Sequence, residues 1–327
     1  MPRIIVTGAA GFVGSNLVRA LNARGYDEIV AVDDLSDGDK FKNLAGCGIA
    51  DYWDRDEFRA DIRRWNLRND INLVFHQGAC ADTTESDGRY MMDVNYSYSK
   101  EILNWCLERR IPLVYASSAS VYGLRRHCVE DPAHENPLNV YAYSKWQFDN
   151  YARRLFGEAK STVVGLRYFN VYGPGESHKE RMASMVWQLW KQLETSGVAR
   201  LFEGTEGFAD GDQRRDFVAV SDVAGVNLFF GLGPTHTGIY NVGTGQARSF
   251  NDVARALIRK LGRGRIEYIP FPESLAGKYQ SFTEADTKQL RAAGYDASFA
   301  TIEQGIERMM SGVAGGLPSS GALRVAG

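Results

Sequence analysis

Cysteine is scarce in this chain, and Cys47, Cys80, Cys106 and Cys128 stand without metal-ligand spacing. The five histidines do not cluster with them, so the sequence predicts neither a metal centre nor structural disulfides. Charge of one sign is lacking too. With 38 Lys and Arg against 40 Asp and Glu the net charge is −2, and no basic stripe invites nucleic acid or an anionic membrane. No apolar run approaches the ~18 residues of a bilayer span. The chain enters a strand at Arg3 with no apolar leader, which predicts a cytoplasmic protein. Internal repeats are also missing. What remains is 44% hydrophobic residues over 327 positions, ample for one large domain or two lobes.

The turn Thr7-Gly8-Ala9-Ala10-Gly11-Phe12-Val13-Gly14 follows the apolar run Arg3-Ile4-Ile5-Val6 and opens a helical pattern from Phe12 to Arg24. Glycines let the backbone turn tightly and approach a pyrophosphate, while free N–H groups at a helix start favour the anion. Asp33 closes the next apolar run, Ile29-Val30-Ala31-Val32, as a ribose-binding acid would. The context therefore predicts a dinucleotide site, with Gly8, Gly11 and Gly14 shaping it.

Further strands are expected at Leu73–His76, Leu113–Ser117 and Val163–Tyr168, alternating with helical stretches at Tyr90–Arg109 and Tyr143–Phe156. Such alternation builds an α/β fold, a doubly wound parallel sheet of the Rossmann type. Beyond Gly173 the pattern shifts to a helical run at Met182–Leu193, a Gly/Asp-rich loop at Gly204–Gln213 and shorter strands. The expected organisation is a dinucleotide-binding domain over 1–172 and a smaller α/β substrate-binding lobe over 173–311. Segments around 217–245 are expected to return to the first domain, and 312–327 to form a disordered tail.

Tyr115-Ala116-Ser117-Ser118 ends a strand, and Tyr141-Ala142-Tyr143-Ser144-Lys145 follows some twenty residues later. A phenol has a pKa near ~10, but an ammonium one helical turn away favours the phenolate, so Lys145 is expected to lower Tyr141. Ser118 can hydrogen-bond an oxygen passing between alcohol and carbonyl, and Lys145 can also hold a nicotinamide ribose. This is hydride-transfer chemistry. Spacing alone is weak, because 16 tyrosines and 10 lysines give about 0.5 chance matches. Tyr96 and Lys100 are one such match, and their position before the serine strand predicts a structural role.

These motifs together resemble the extended short-chain dehydrogenase/reductase superfamily over nearly the whole chain. Within it, Asp37-Gly38-Asp39-Lys40-Phe41, Gly78-Ala79-Cys80, Tyr168-Phe169-Asn170-Val171-Tyr172-Gly173-Pro174, His178-Lys179, Leu201-Phe202-Glu203-Gly204 and Tyr268-Ile269-Pro270-Phe271-Pro272 are similar to the ADP-L-glycero-D-manno-heptose 6-epimerases. The resemblance implies interconversion of the two C6 epimers of ADP-glyceromanno-heptose, a step toward lipopolysaccharide core, with one NADP per subunit recycled in each turnover. It implies Tyr141 and Lys179 as paired acid/base groups, and a homo-oligomer, pentameric in the family. Cofactor contacts carried over are Phe12, Val13, Asp33, Asp34, Lys40, Arg55, Gln77, Gly78, Ala79, Cys80, Ala81, Asn95, Lys145, Val171 and Lys179. Substrate contacts carried over are Ser118, Asn170, Arg181, Gln188, Phe202, Glu203, Gly204, Thr205, Arg215 and Tyr279.

Alternatives stay open on the residues alone. Asp33 ordinarily favours NAD, so NAD stands as second choice beside NADP. A UDP-hexose 4-epimerase shares the same motifs, and a non-catalytic NADP(H)-binding sensor shares the fold.

Overall fold

The computed structural model describes residues 2–67, 69–275, 277 and 279–315. Six strands come first: β1 (Arg3–Thr7), β2 (Ile29–Asp33), β3 (Asp51–Asp54), β4 (Ile71–His76), β5 (Leu113–Ser118) and β6 (Val163–Tyr168). Then follow β7 (Asn170–Tyr172), β8 (Val198–Phe202), β9 (Arg214–Arg215), β10 (Phe217–Ala219), β11 (Thr237–Val242), β12 (Arg248–Ser249) and β13 (Arg265–Ile269). One seven-stranded sheet runs β11-β6-β5-β4-β1-β2-β3, and every pairing in it is parallel. Strand order reverses between β1 and β4, which opens a crevice at their carboxyl ends.

Parallel strands buried on both faces need near-continuous apolar runs, and Ile4-Ile5-Val6 and Ile29-Val30-Ala31-Val32 supply them. The helices are α1 (Phe12–Asn22), α2 (Phe41–Leu44), α3 (Arg55–Arg63), α4 (Gly88–Met91), α5 (Tyr98–Arg109), α6 (Val140–Leu155), α7 (Met185–Ser196), α8 (Val220–Leu232), α9 (Phe250–Leu261), α10 (Lys288–Ala292) and α11 (Ile302–Gly315). One face of the sheet is covered by α1 and α8, through Leu17, Val18 and Leu21 against Val223, Leu228 and Phe230. The other is covered by α3, α5 and α6, through Phe58, Ile102, Leu103, Trp105 and Phe148. A separate core in the second lobe gathers Leu189, Leu201, Val253, Leu257 and Ile306 around the parallel pair β8 and β13.

β3 escapes a pattern-based reading because Asp51-Tyr52-Trp53-Asp54 has no apolar run; as an edge strand it buries neither face fully. Residues 217–219 pair with β7 outside the main sheet, while α8 and β11 rejoin the first lobe beside β6. The helix α11 continues to Gly315, into the span expected as a structureless tail. The remainder of that span, 316–327, lies outside the described residues.

Candidate functional site

Gly8 sits at φ +66°, and a Cβ on it would lie 2.6 Å from the Gly78 backbone N. One on Gly14 would lie 2.0 Å from the Gly8 oxygen. Only glycine closes this turn so tightly. It delivers the chain to the start of α1, whose first turn has no side-chain cap and no acidic residue. The helix end is thus kept open for an anion. A cavity of about 430 Å³ opens there, lined by Gly8, Gly11, Phe12, Val13, Gly14, Asp33, Asp34, Lys40, Arg55 and the segment Gln77–Ala81. These residues fit a dinucleotide.

At the far rim the buried Asp33 carboxylate accepts from the Ala10 and Asp34 N–H groups, each at 2.7 Å, and from the Lys40 ammonium. Arg55 pairs with Asp34 at 3.0 Å. The bond from the Ser36 N–H holds the Asp34 carboxyl below its ordinary value. Two carboxylates here face two cations. Asn95 is a correction: it is fully buried, and its amide bonds the Cys80 N–H and carbonyl and the Ser144 hydroxyl. It braces the cavity wall from behind and does not line it. It lies in a π-helical turn, Met92–Ser97, interrupting the long helix that its neighbours' periodicity predicts.

A second cavity of about 420 Å³ adjoins the first and shares Phe12, Val13, Gln77, Ala79, Ala81, Lys179 and Met182 with it. Ser118, Tyr141, Lys145, Asn170 and Val171 line it as well. Asn139 caps α6 by accepting from the Ala142 N–H at 2.8 Å, which places Tyr141 in the first turn. Burial pushes the pKa of the Tyr141 phenol up, and the nearby Ser118 hydroxyl opposes it. This corrects the expectation that Lys145 lowers it. The Lys145 ammonium is itself buried, brought down to about 8 by that burial, and donates to the Ala116 carbonyl at 3.0 Å. Behind it the buried Asp149 accepts from Tyr115 (3.1 Å), Ser117 (2.9 Å) and Arg167 (2.8 Å), and its charge raises Lys145. The other match, Lys100, stands over the rings of Tyr96 at 4.9 Å and Tyr151 at 4.7 Å, a structural cation–π site.

Lys179 comes from a 3₁₀ segment, Ser177–Met182, in which Glu180 takes φ 44° and ψ −117°. Few non-glycine residues tolerate that conformation. The segment is held by Glu176, whose buried carboxylate accepts from the Gly173 N–H (3.0 Å), the Ser184 N–H (2.5 Å) and the Ser184 hydroxyl (2.8 Å). Burial lowers the Lys179 pKa, with Glu176 opposing. Its ammonium lies 5.2 Å from the Phe12 ring centre. Arg181 points away to Asp82 and Thr84, at 3.0 Å each, and is exposed; Gln188 donates to the Arg181 and Ala183 carbonyls. Neither lines the two cavities described.

In the second lobe, Phe202, Phe271 and Tyr279 form an aromatic triangle, and Arg215 stands 4.8 Å from the Tyr279 ring centre. Arg215 is buried, forms no ion pair among the described residues, and has its pKa pushed down by that burial. A buried cation without a counter-charge is costly unless an anion arrives. Glu203 to Thr205 leave the end of β8 as a loop, tied by the Gly204 N–H to Asp210 at 2.8 Å. Residues that sequence reasoning missed include Tyr90, His178, Met182, Phe217, Gln280 and Thr283, all lining the cavities. Tyr90 lies in the four-residue α4, His178 and Met182 in the Ser177–Met182 segment, Phe217 in the short β10, and Gln280 and Thr283 in a loop; elements this short carry no period to mark them.

A cradle for a dinucleotide beside a Ser-Tyr-Lys cluster is the arrangement of a hydride-transfer site, and the sequence agrees. The chain belongs to the NAD dependent epimerase/dehydratase family, whose pattern matches residues 4–243. Within it the chain is similar to an ADP-L-glycero-D-manno-heptose-6-epimerase of Alkalilimnicola ehrlichii, 55% identical over 311 residues, covering 95% of this chain and 97% of the other. The Helicobacter pylori ADP-L-glycero-D-manno-heptose-6-epimerase superposes with a TM-score of 0.82 at 32% identity, covering 96% of each chain. A Thermus thermophilus UDP-glucose 4-epimerase solved with NAD gives a TM-score of 0.73 at 26% identity, covering 94% of this chain and 99% of that one. The protein is thus an epimerase that uses a nicotinamide cofactor.

Proposed function

We propose that the protein interconverts ADP-D-glycero-D-manno-heptose and ADP-L-glycero-D-manno-heptose by transient oxidation at C6. The carrying observation is that Tyr141, from α6, and Lys179, from the Ser177–Met182 segment, line one cavity that opens onto the dinucleotide cradle. Two acid/base groups are what an inversion through a ketone needs. C6 is a carbinol with no adjacent carbonyl, so removing its proton directly would leave an unstabilised carbanion. The bound nicotinamide supplies a hydride acceptor and donor. Tyr141 exchanges a proton with the C6 oxygen in one orientation of the sugar, and Lys179 in the other; Ser118 holds that oxygen. Burial lowers the Lys179 pKa, so it gives up a proton more readily than an exposed lysine. Arg215 offers its planar donors to the substrate diphosphate.

NADP is the cofactor this reading favours. The Asp33 carboxylate, engaged by Lys40, no longer confronts a 2′-phosphate with an unshielded charge, and Lys40 and Arg55 both reach the rim. Mass spectrometry of the dinucleotide released from purified protein tests this, and NAD alone would sink it. A cytoplasmic homo-oligomer is part of the same reading; light scattering of a monomer would remove the second half.

The test of the reaction follows sugar protons by NMR after adding ADP-D-glycero-D-manno-heptose or UDP-glucose, without added cofactor. Epimerisation of the heptose alone is expected, and turnover of UDP-glucose alone would move the protein to the 4-epimerases. Tyr141→Phe and Lys179→Met are each expected to lower net epimerisation by at least about a hundredfold. Each should still dismutate a 6-aldehyde analogue, and full activity of Lys179→Met would eliminate the two-base scheme.

A further inference from the structure

His76 ends β4 and is almost completely buried, away from solvent and from both cavities as described. Its two ring nitrogens are nonetheless both engaged, Nδ1 with the Thr7 hydroxyl at 2.7 Å and Nε2 with the Ser99 hydroxyl at 2.8 Å. The direction of each bond follows from counting protons. The single hydroxyl proton of Ser99 goes to the Asn95 carbonyl at 2.6 Å, so Ser99 accepts from His76 and Nε2 carries the hydrogen. Burial keeps the ring neutral, with a pKa pushed down to about 3. Nδ1 is therefore a bare lone pair that takes the Thr7 hydroxyl proton. The Thr7 oxygen in turn accepts from the Gly78 N–H at 3.1 Å.

The two ends of this chain of bonds reach the same stretch of cavity wall. Thr7 pins Gly78, and Asn95 pins Cys80 twice, by accepting from its N–H at 2.8 Å and donating to its carbonyl at 3.0 Å. The Asn95 amide also donates to Ser144 at 3.1 Å, and Ser144 donates to the Tyr141 carbonyl at 2.7 Å. One buried imidazole thus joins the glycine turn, the Gly78–Cys80 wall and the first turn of α6.

We propose that His76, as its neutral Nε2–H tautomer, is a positioning residue for hydride transfer, holding the Gly78–Cys80 wall in register with Tyr141 through Thr7, Ser99, Asn95 and Ser144. This rests on the reading of the cavity as a dinucleotide site and of Tyr141 as an acid/base group. His76 touches neither sugar nor cofactor, so its loss acts on the geometry of the reacting pair and spares the grip on the sugar. A misplacement of that kind lowers turnover with little change in substrate affinity.

Nitrogen-15 NMR of the histidine-labelled holoprotein tests the tautomer, with the His76 signals assigned by their loss in His76→Gln. A protonated Nε2 and unprotonated Nδ1, unchanged between about pH 5 and 8, are expected. An Nδ1–H tautomer, or titration in that range, overturns the proposal. For function, His76→Leu is expected to lower kcat about tenfold with KM for the sugar nucleotide changed less than about twofold, and to speed dinucleotide release. His76→Gln, which can restore a donor toward Ser99, should recover part of kcat. Thr7→Val breaks the chain at its other end and should lower kcat in the same way even if His76→Leu does not fold. Unchanged kcat in Thr7→Val and His76→Gln, or a loss that appears equally in KM, overturns the role. Should the wild-type protein fail to epimerise the heptose, the functional reading falls, while the tautomer and the rate of dinucleotide release still decide the role of His76.

Discussion

Tyr141 and Lys179 reach one cavity from contrasting supports. Tyr141 stands in the first turn of a 16-residue helix, capped by Asn139 and packed on the sheet through Phe148 and Ala152. Lys179 stands on six residues of 3₁₀ chain that contain a positive φ at Glu180 and are folded around the carboxylate of Glu176. Regular structure secures the first group by many small contacts. The second depends on one buried acid, so its position is concentrated in a few bonds and is correspondingly easy to break.

Removing that acid should break the contrast most sharply. Glu176→Ala leaves the Gly173 and Ser184 N–H groups without their acceptor, and urea unfolding is expected to show a loss of about 3 kcal/mol. Replacement of Arg215 probes the second lobe from the opposite direction. Arg215→Met is expected to weaken binding of the sugar nucleotide about a hundredfold, by titration calorimetry, while thermal unfolding shows no loss, because a buried unpaired charge has gone.

On the helical side, Lys145 gives a pH signature. Burial lowers its folded pKa to about 8, so between there and its unfolded value the native state binds fewer protons than the unfolded chain. The sign is a gain of stability as pH rises through that window, on the order of 2 kcal/mol. In urea titrations at about pH 7.5 and 10, the difference in unfolding free energy between wild type and Lys145→Met should shift in favour of wild type by that amount, the other buried groups titrating alike in both. The smallest effect falls on Glu180. Glu180→Gly should stabilise by about 1 kcal/mol through relief of its backbone, and an accompanying fall in kcat would show that the strain helps present Lys179.

The same contrast explains what the sequence discloses. The glycine turn, the buried strands and Tyr141-x-x-x-Lys145 are legible because period and spacing carry the physics: an open helix end, a two-faced sheet, and groups one helical turn apart. Lys179 is legible only through resemblance, since nothing in Ser177–Met182 has a period. Asn95 reads as a ligand contact in the sequence because residue type does not tell whether an amide faces a ligand or braces the wall behind it. The Tyr141 phenol departs from the expectation because burial sets its direction, and burial belongs to packing and not to spacing. Gln280 and Thr283 reach the cavity from a loop far along the chain, and no local signal announces them.

The return of α8 and β11 to the first sheet has a mechanical consequence. The chain leaves the first lobe after β6, re-enters at α8, departs again after β11, comes back at Leu290 of α10 and then enters the second core at α11, the last described element. No single cut separates two folding units. Any opening of the cleft must flex several covalent tethers together, so the hinge is a seam across the molecule and not a point in it, and admission of a sugar nucleotide is favoured through small, shared rotations over a wide swing of one lobe.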